Sequence, residues 1–132
     1  MANTHTNAAI GTDIVDVERL HAAVKRFGGA FLSKIFTENE LVYCLGLSIN
    51  YRSLAARFAA KEAFSKALGM GIGMGSALKW NDVSVQNHPS GAPEIVLSAK
   101  ANNLMKRRGF KFAKVSLSHT KTLAQAVVIL TN

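Results

Sequence analysis

Residues 57–69 constrain the fold of this chain more than any other stretch. They are rich in helix-favouring side chains, and Gly69 stands where a glycine typically ends a helix. At about 100° per residue, the stretch divides into an apolar half and a polar half. The apolar half comprises Ala60, Ala63, Phe64 and Ala67, and the polar half comprises Arg57, Lys61, Glu62, Ser65 and Lys66. We therefore predict a helix that packs through one face and presents a carboxylate among cations on the other.

The polar half of this helix has two interpretations. The small alanines would let the helix approach a neighbour closely, and a charged face pressed against other elements would need a phosphate or a metal ion to compensate it. Alternatively, the face is simply solvated, with Glu62 and Lys66 forming an i,i+4 pair worth about 0.2–0.5 kcal/mol. The helix alone leaves both interpretations open.

The size and composition of the chain limit its class. With 132 residues, a single domain spanning residues 1–132 is predicted, with residues 1–7 flexible. The formal net charge of +8 favours anionic partners. The single cysteine, Cys44, excludes an internal disulfide and suits a reducing compartment, so we expect a cytoplasmic protein. The polar first residues and the lack of a long apolar run lead us to expect neither a secretory leader nor a membrane-spanning segment.

The remaining patterns place strands and helices on both sides of residues 57–69. In chain order they predict a strand at 8–15, a helix from Asp16 to the glycines 28–29, short helices near 31–36 and 37–45, a hairpin within 81–97, a helix at 98–108 and a second hairpin within 112–130. Strands that alternate with helices and are joined mostly as hairpins indicate an α+β domain. We expect a mainly antiparallel sheet packed against helices.

Two carboxylates have neighbourhoods unlike open surface. In the strand at 8–15, Asp13 shares a face with Gly11 and Val15, and an unpaired buried carboxylate is costly. Asp13 therefore needs a cation, a metal ion or several backbone donors. Together with Glu62 it could hold Mg²⁺ if phosphates and waters completed the coordination, and Lys66, one turn beyond Glu62, could contact a phosphate or accept a proton. Local backbone donors for Asp13 and a solvated Lys66 remain alternatives.

Several other kinds of chemistry lack support. His119 at a strand end could bind a phosphate or be an ordinary turn histidine, and no histidine has the spacing of a zinc site. The glycine-rich residues 69–76 could be a flexible link or a ligand contact, but they lack the GxGxxG pattern after a strand. There is no GxSxG nucleophile. RRM, KH and zinc-finger signatures are absent from the sequence, so we do not expect nucleic acid as a partner.

Three segments resemble the motifs of the holo-[acyl-carrier-protein] synthases, which are short phosphopantetheinyl transferases. Residues 10–16 with Arg19 look like the first motif of that family, residues 57–69 like the second, and residues 115–121 like the third. The segments follow the family's order and spacing from about residue 10 to residue 130, and the long second motif is highly specific.

The resemblance implies transfer of the phosphopantetheine arm of coenzyme A to a serine of apo-acyl carrier protein in fatty acid biosynthesis. It also implies that adenosine 3′,5′-bisphosphate is released. By position in the motifs, Asp13 and Glu62 would hold Mg²⁺ as the cofactor, and Lys66 would steady the reacting phosphate. The motif leaves open whether Lys66, Glu62 or a metal-bound water would take the serine proton, and Lys66 is the protein group expected to take part in the chemistry. Contacts with coenzyme A would come from Arg57, Lys61, His119 and Pro93.

The resemblance further implies a homotrimer with active sites between protomers and no membrane partner. Asp13 and Glu62 would then face residues 90–93 or the glycine-rich loop of a neighbour. The chain departs from the family in carrying Ala92 where a basic residue often stands. Arg19 and Arg26 on the first helix would dock the acidic carrier protein, in line with the positive net charge. Two rival classes are a small nucleic-acid-binding module and a non-catalytic protein that docks acidic carriers.

Overall fold

The computed structural model describes residues 7–132. In chain order the elements are β1 (Ala8–Asp16), α1 (Val17–Ile35), α2 (Glu38–Cys44), α3 (Tyr51–Leu68), β2 (Val83–Asn87), β3 (Pro93–Leu97), α4 (Ala99–Arg107), β4 (Phe112–His119) and β5 (Leu123–Thr131). A short 3₁₀ turn, Trp80–Asp82, precedes β2. The α+β prediction is confirmed, whereas the flexible segment predicted at 1–7 lies outside the described residues except for Asn7.

The strands form two antiparallel sheets. In the larger sheet β5 lies between β1 and β4, and the smaller sheet is the β2–β3 hairpin. Both predicted hairpins are therefore confirmed. The register places Asp13 beside Ala126 of β5, so Asp13 lies on the same face of the larger sheet as the buried Ala126.

Helix α3 packs against β1, β5, α1, α2, β2 and β4. Its alanines allow a very close approach to β1, because a Cβ atom at Gly11 would lie 1.9 Å from the carbonyl oxygen of Ala63. Real Cβ atoms cannot stand so close to backbone oxygen, so glycine is required at this crossing. Gly11 therefore fixes the distance between β1, which carries Asp13, and α3, which carries Glu62.

The predicted division of α3 into a packed half and an open charged half is only partly right. Ala60, Ala63, Phe64 and Ala67 are buried, as expected. However, Arg57 and Lys61 are buried as well, with exposed fractions of 3% and 0%. Burial extends almost all round the helix because it contacts both sheets and two helices. The charged half is therefore not one exposed face.

The elements flanking α3 begin where their caps predicted. The Asp16 carboxylate accepts the backbone N–H groups of Glu18 and Arg19 at the start of α1, and Thr37 with Glu40 forms a capping box at α2. At Gly28 the backbone leaves the helical region, with φ 62° and ψ −142°, and helix resumes as far as Ile35. The predicted break at the glycines is thus a kink. Among residues 7–132, no helix combines the length and apolar character needed to cross a membrane.

Candidate active site

A cavity of about 490 Å³ lies between β1, α1 and α3. Its lining brings together four of the residues singled out in the sequence, namely Asp13, Arg19, Glu62 and Lys66. Strand β1 supplies Asp13, the first turn of α1 supplies Arg19, and successive turns of α3 supply Glu62 and Lys66. These two carboxylates and two cations thus meet around one open space, together with the Asp16 carboxylate that caps α1.

Asp13 forms an ion pair with Lys66, which supplies the cation that its position on β1 requires. The Lys66 Nζ atom donates to Asp13 Oδ1 at 2.9 Å and to the backbone oxygen of Thr12 at 3.0 Å. The Asp13 side chain is 17% exposed, whereas that of Lys66 is 54% exposed. Asp13 therefore stays fixed beneath a lysine that reaches in from solvent. The alternative i,i+4 pair of Lys66 with Glu62 is not formed within 4.0 Å in the described residues.

Glu62 is the second carboxylate of the cavity, and its surroundings disfavour ionisation. Burial raises its pKa above the ordinary value, and the nearby Asp13 carboxylate raises it further, while Lys66 acts in the opposite direction. Because both carboxylates line the same cavity, their negative charges repel each other. An added cation between them would relieve that repulsion.

The donor set suits a hard divalent cation. Carboxylate oxygens are the protein ligands that Mg²⁺ prefers, and Mg²⁺ commonly takes only one or two of them while phosphates and waters supply the rest. Within residues 7–132, no group of three or more His, Cys, Asp or Glu side chains comes together as a metal cage. Asp13 and Glu62 therefore fit an ion whose coordination is completed by waters and a phosphate, rather than an ion enclosed by protein ligands alone.

Apart from Asp16, whose carboxylate caps α1, the rest of the cavity wall is apolar. It is formed by Ile14, Val15, Leu20, Ala23, Phe31 and Phe58. The Phe58 ring stacks on Trp80, with centroids 5.0 Å apart, and this contact braces it from behind. The sequence analysis did not assign Phe31 or Phe58 to the site. Phe58 lies within the second motif, which could have drawn attention to it. Phe31 lies outside the motifs, and its apolar side chain is equally typical of a core residue.

The structure places Lys61, which was predicted to contact a coenzyme A phosphate, outside the cavity. Its ammonium group is fully buried and donates to Glu40 at 2.7 Å, as well as to the backbone oxygens of Trp80 and Val83. Burial lowers the pKa of Lys61, and the Glu40 carboxylate opposes this effect. Glu40 also accepts the backbone N–H groups of Thr37 and Val85. Lys61 thus joins α3 to α2 and β2.

Arg57 and Pro93 lie outside the cavity. The Arg57 guanidinium donates to Ser53 and Asn87 and stacks over the Tyr43 ring at 4.4 Å. It lines a second open cavity, of about 480 Å³, that includes Asn87 at the start of the β2–β3 turn. Pro93 begins β3 opposite Asn87. Within this protomer, neither residue lines the space that contains Asp13 and Glu62.

The last two predicted site residues are also separate from the cavity. His119 ends β4 and is exposed; it lies beside Ala124 of β5, which pairs on its other side with Val15 of β1. Arg26 is exposed on α1, where its guanidinium lies 5.2 Å from the Phe27 ring centre. One protomer therefore gathers four of the nine predicted site residues, and the other five lie elsewhere.

The α+β fold thus carries one cavity in which Asp13, Glu62, Arg19 and Lys66 come together, and this combination defines a class of small α+β proteins. Residues 9–128 match the family model of the 4′-phosphopantetheinyl transferase superfamily, ACPS. The chain belongs to this family.

Named relatives agree with this assignment. The holo-[acyl-carrier-protein] synthase of Syntrophus aciditrophicus is 46% identical over 120 residues, which cover 91% of this chain and 92% of that protein. Among solved structures, the fold is similar to that of holo-[acyl-carrier-protein] synthase from Neisseria meningitidis, with a TM-score of 0.83, 32% identity and coverage of 92% and 96% of the two chains. The structure of the Helicobacter pylori synthase in complex with coenzyme A is similar as well. Its TM-score is 0.80 and its sequence identity is 36%, with coverage of 92% of this chain and 98% of that chain.

Proposed function

We propose that this protein is a holo-[acyl-carrier-protein] synthase. It transfers the 4′-phosphopantetheine arm of coenzyme A to a serine of apo-acyl carrier protein, in a Mg²⁺-dependent reaction that serves fatty acid biosynthesis. The observation that carries the proposal is the meeting of Asp13, Glu62 and Lys66 in one cavity, in a chain that belongs to the phosphopantetheinyl transferase family. The free, buried Cys44 is in line with a cytoplasmic location.

The charges of the cavity fit this substrate. Asp13 and Glu62 would hold Mg²⁺, which supplies neutralisation of the charge that develops on the diphosphate. Lys66 lies at the rim with its side chain half exposed, so its ammonium group can reach a phosphate oxygen without leaving the cavity. The apolar wall around Phe58 offers a surface for the less polar parts of the substrates.

In the reaction, the carrier serine oxygen forms a bond to the phosphorus that bears the pantetheine arm, and the bond from that phosphorus to the bridging oxygen breaks. Adenosine 3′,5′-bisphosphate leaves with the electron pair. The serine proton passes to a base; Glu62 is the protein group we assign, and Lys66, which is paired with Asp13 as an ammonium group, could take the proton only in its uncharged form. The raised pKa of Glu62 supports its ability to hold a proton.

A homotrimer with shared active sites would reconcile the separated residues. The outer face of the larger sheet leaves Ile10 69% exposed and Phe112 57% exposed, and Ile129 lies on the same face. Burial of these side chains between copies would remove an apolar surface from water. A neighbour's second cavity, with Arg57 and the turn before Pro93, could then complete the site around Asp13 and Glu62. We keep Arg57, Pro93 and His119 as coenzyme A contacts in such an assembly.

Carrier docking is assigned to α1. Arg19 and Arg26 are exposed on this helix, and Arg19 also lines the cavity. Arg19→Glu should raise the apparent KM for the carrier protein by about fivefold or more, and that for coenzyme A much less, because it repels an acidic partner. Lys106→Glu makes the same charge change at an exposed position on α4 and should have little effect. Equal effects of both variants in steady-state kinetics would contradict this assignment.

Mass spectrometry of an apo-acyl carrier protein tests the proposed function directly. Incubation with the protein, coenzyme A and Mg²⁺ should add one phosphopantetheine group to the carrier, and a chelator should prevent this addition. Asp13→Asn and Glu62→Gln should each slow the reaction by about 100-fold or more while the variants stay folded. An unchanged carrier mass with the wild-type protein would refute the function, and a variant with near-normal rate would refute the metal assignment.

A further inference from the structure

Without a metal ion, the cation that neutralises Asp13 is the Lys66 ammonium group. It donates to Asp13 Oδ1 at 2.9 Å and is held in place by the Thr12 carbonyl at 3.0 Å. These two oxygens belong to neighbouring residues of β1, so they form a small acceptor pair at the edge of the cavity that Asp13 lines. The ammonium group therefore occupies the side of Asp13 that faces the cavity.

We propose that Lys66 is a displaceable internal cation, which Mg²⁺ must move away from Asp13 before catalysis. The inference rests on the proposed function, because it assumes that Asp13 and Glu62 are the metal ligands. An ammonium group at 2.9 Å from Asp13 Oδ1 and a divalent ion on the same carboxylate would stand within a few ångströms of each other and repel strongly. Occupancy of Asp13 by one cation therefore opposes occupancy by the other.

The structure gives Lys66 the freedom to leave and Asp13 no such freedom. The Lys66 side chain is 54% exposed and has a flexible four-carbon stem, whereas the Asp13 side chain is 17% exposed on a paired strand. Entry of a metal ion would thus move the lysine and leave the carboxylate in place. The released ammonium group stays on α3, one turn from Glu62, where it can bind an arriving phosphate.

This exchange couples two events that would otherwise be independent. Metal binding makes Lys66 available to the substrate, and by linkage a substrate phosphate that attracts Lys66 favours metal binding. Lys66 also keeps the acidic pair from standing uncompensated while the site is free of metal. Asp13 and Lys66 thus form a salt bridge that opens when the metal ion binds, rather than a permanent one.

Metal binding to the full chain without coenzyme A provides the first test. Mn²⁺ serves as the probe, and its binding is followed by electron paramagnetic resonance of the free ion. Lys66→Met should bind Mn²⁺ about 5- to 20-fold more tightly than the wild type, because no ammonium group competes for Asp13. Lys66→Arg, which keeps a competing cation, should stay close to the wild type, and Asp13→Asn should lose this binding.

A matched control separates displacement from a general change in charge. Arg19 lines the same cavity, but it forms no ion pair with Asp13 within 4.0 Å in residues 7–132. Arg19→Met removes the same charge without removing a competitor, so its gain in Mn²⁺ affinity should be much smaller. Equal gains for the Arg19 and Lys66 variants, or no gain for Lys66→Met, would overturn the inference.

The reactivity of the lysines gives a second readout that does not require a variant. Trace acylation by acetic anhydride, mapped by peptide mass spectrometry, should modify Lys66 more readily once Mg²⁺ has released it. Lys100 is a closely matched control, because it pairs with Asp82 at 3.2 Å and the two side chains are 51% and 15% exposed. Its acylation should not respond to Mg²⁺. A Lys66 reactivity unaffected by saturating Mg²⁺ would overturn the inference.

Failure of the inference and failure of the proposed function are distinguishable. If Mn²⁺ does not bind in a way that Asp13→Asn abolishes, the displacement is overturned together with the metal assignment. If the wild-type protein still adds phosphopantetheine to the carrier while the binding and acylation tests fail, the function stands and the displacement alone is wrong.

Discussion

Lys61 and Glu62 are neighbours in the chain, but α3 directs them into different environments. Lys61 is enclosed with Glu40 at 2.7 Å, and neither side chain is exposed. Glu62 faces the cavity beside Asp13. Lys61 therefore holds the helix in the core, whereas Glu62 is available to the cavity, although both residues are charged and belong to the same motif.

The buried ion pair of Lys61 and Glu40 should be essential for stability, because loss of one partner leaves the other charge buried alone. Lys61→Met leaves Glu40 as an uncompensated buried charge and should lower the free energy of unfolding by about 3–5 kcal/mol. Replacing both partners, as Lys61→Met with Glu40→Gln, should recover a substantial part of this loss. Lys100→Met breaks only the exposed pair with Asp82 and should cost at most about 1 kcal/mol. Urea denaturation measures all three, and similar losses for both single variants would contradict the expectation.

Glu62 should reduce stability at neutral pH. Its pKa is raised in the folded protein by burial and by Asp13, so the folded state holds the proton more readily than the unfolded state. The stability contributed by protonated Glu62 is fully present below the unfolded pKa, and it is lost as the pH rises through the folded pKa.

The substitution Glu62→Gln removes this dependence. In the presence of a chelator, the variant should be more stable than the wild type at pH ~7, by on the order of 0.5 kcal/mol, and the advantage should shrink towards pH ~4. Urea denaturation at both pH values measures the difference. A variant that is less stable than the wild type at neutral pH would show that Glu62 makes a favourable contact in the folded state.

At the scale of elements, the crossing of β1 over α3 sets the geometry of the site. Gly11 lies against the α3 backbone at Ala63 and Ala67, and Asp13 is two residues further along the same face of β1. Any separation of the two elements at Gly11 would therefore move Asp13 relative to Glu62. The packing of the core and the spacing of the carboxylates depend on the same contact.

Gly11→Ala should accordingly damage both stability and site. The added Cβ would meet backbone atoms that cannot move away cheaply, so we expect a loss of about 3 kcal/mol in urea denaturation and weaker Mn²⁺ binding. Gly29→Ala is the control, because a Cβ there meets nothing within 4 Å. It should be neutral or stabilise by up to about 1 kcal/mol. Full Mn²⁺ affinity in a folded Gly11→Ala protein would contradict the proposed coupling.

Local sequence signals predicted most of the elements. The Asp16 cap, the capping box of Thr37 and Glu40 and the glycine after α3 each act within a few residues, so the sequence records them directly. The start of α3 was harder to predict, because the helix begins at Tyr51, six residues before the predicted helical stretch 57–69. Its Asn50 cap was not recognised.

The environment of charged residues was harder to predict, because it depends on distant partners. The helical wheel placed Lys61 beside Glu62 and could not reveal that Glu40, 21 residues earlier, would bury it. Glu40 gave no sign of this role, since a glutamate in a capping box is typical of exposed helix starts. Likewise, Phe27 continued the apolar stripe of α1 in the sequence, yet it lies next to the kink at Gly28 and is 57% exposed.

At the scale of the whole molecule, the larger sheet has one covered face and one open face. Gly11, Ala126 and Val128 lie on the face covered by α3, whereas Ile10 and Ile129 point away from it and pair across the two strands. The proposed trimer would use this open face. It would also bring the second cavity of a neighbour towards Asp13 and Glu62.

Ile10→Lys tests this assembly. The added charges would repel one another at a shared apolar interface, so we expect light scattering after size exclusion to detect a monomer instead of a trimer, with transfer activity reduced at least about tenfold. Leu47→Lys, at a fully exposed position after α2 that lies outside the sheet face and lines neither cavity, should leave the assembly intact. A wild-type protein that is monomeric at micromolar concentration would refute the trimer itself.

The enclosure of α3 determines how the protein can lose activity. Both sheets and two other helices pack on this helix, so its backbone cannot open unless most of the core opens as well. Glu62 and Lys66 therefore stand on a part of the chain that local fluctuations do not reach. Heat should consequently displace these two groups only at the temperature at which the domain itself melts, with no earlier stage in which a folded domain has lost them.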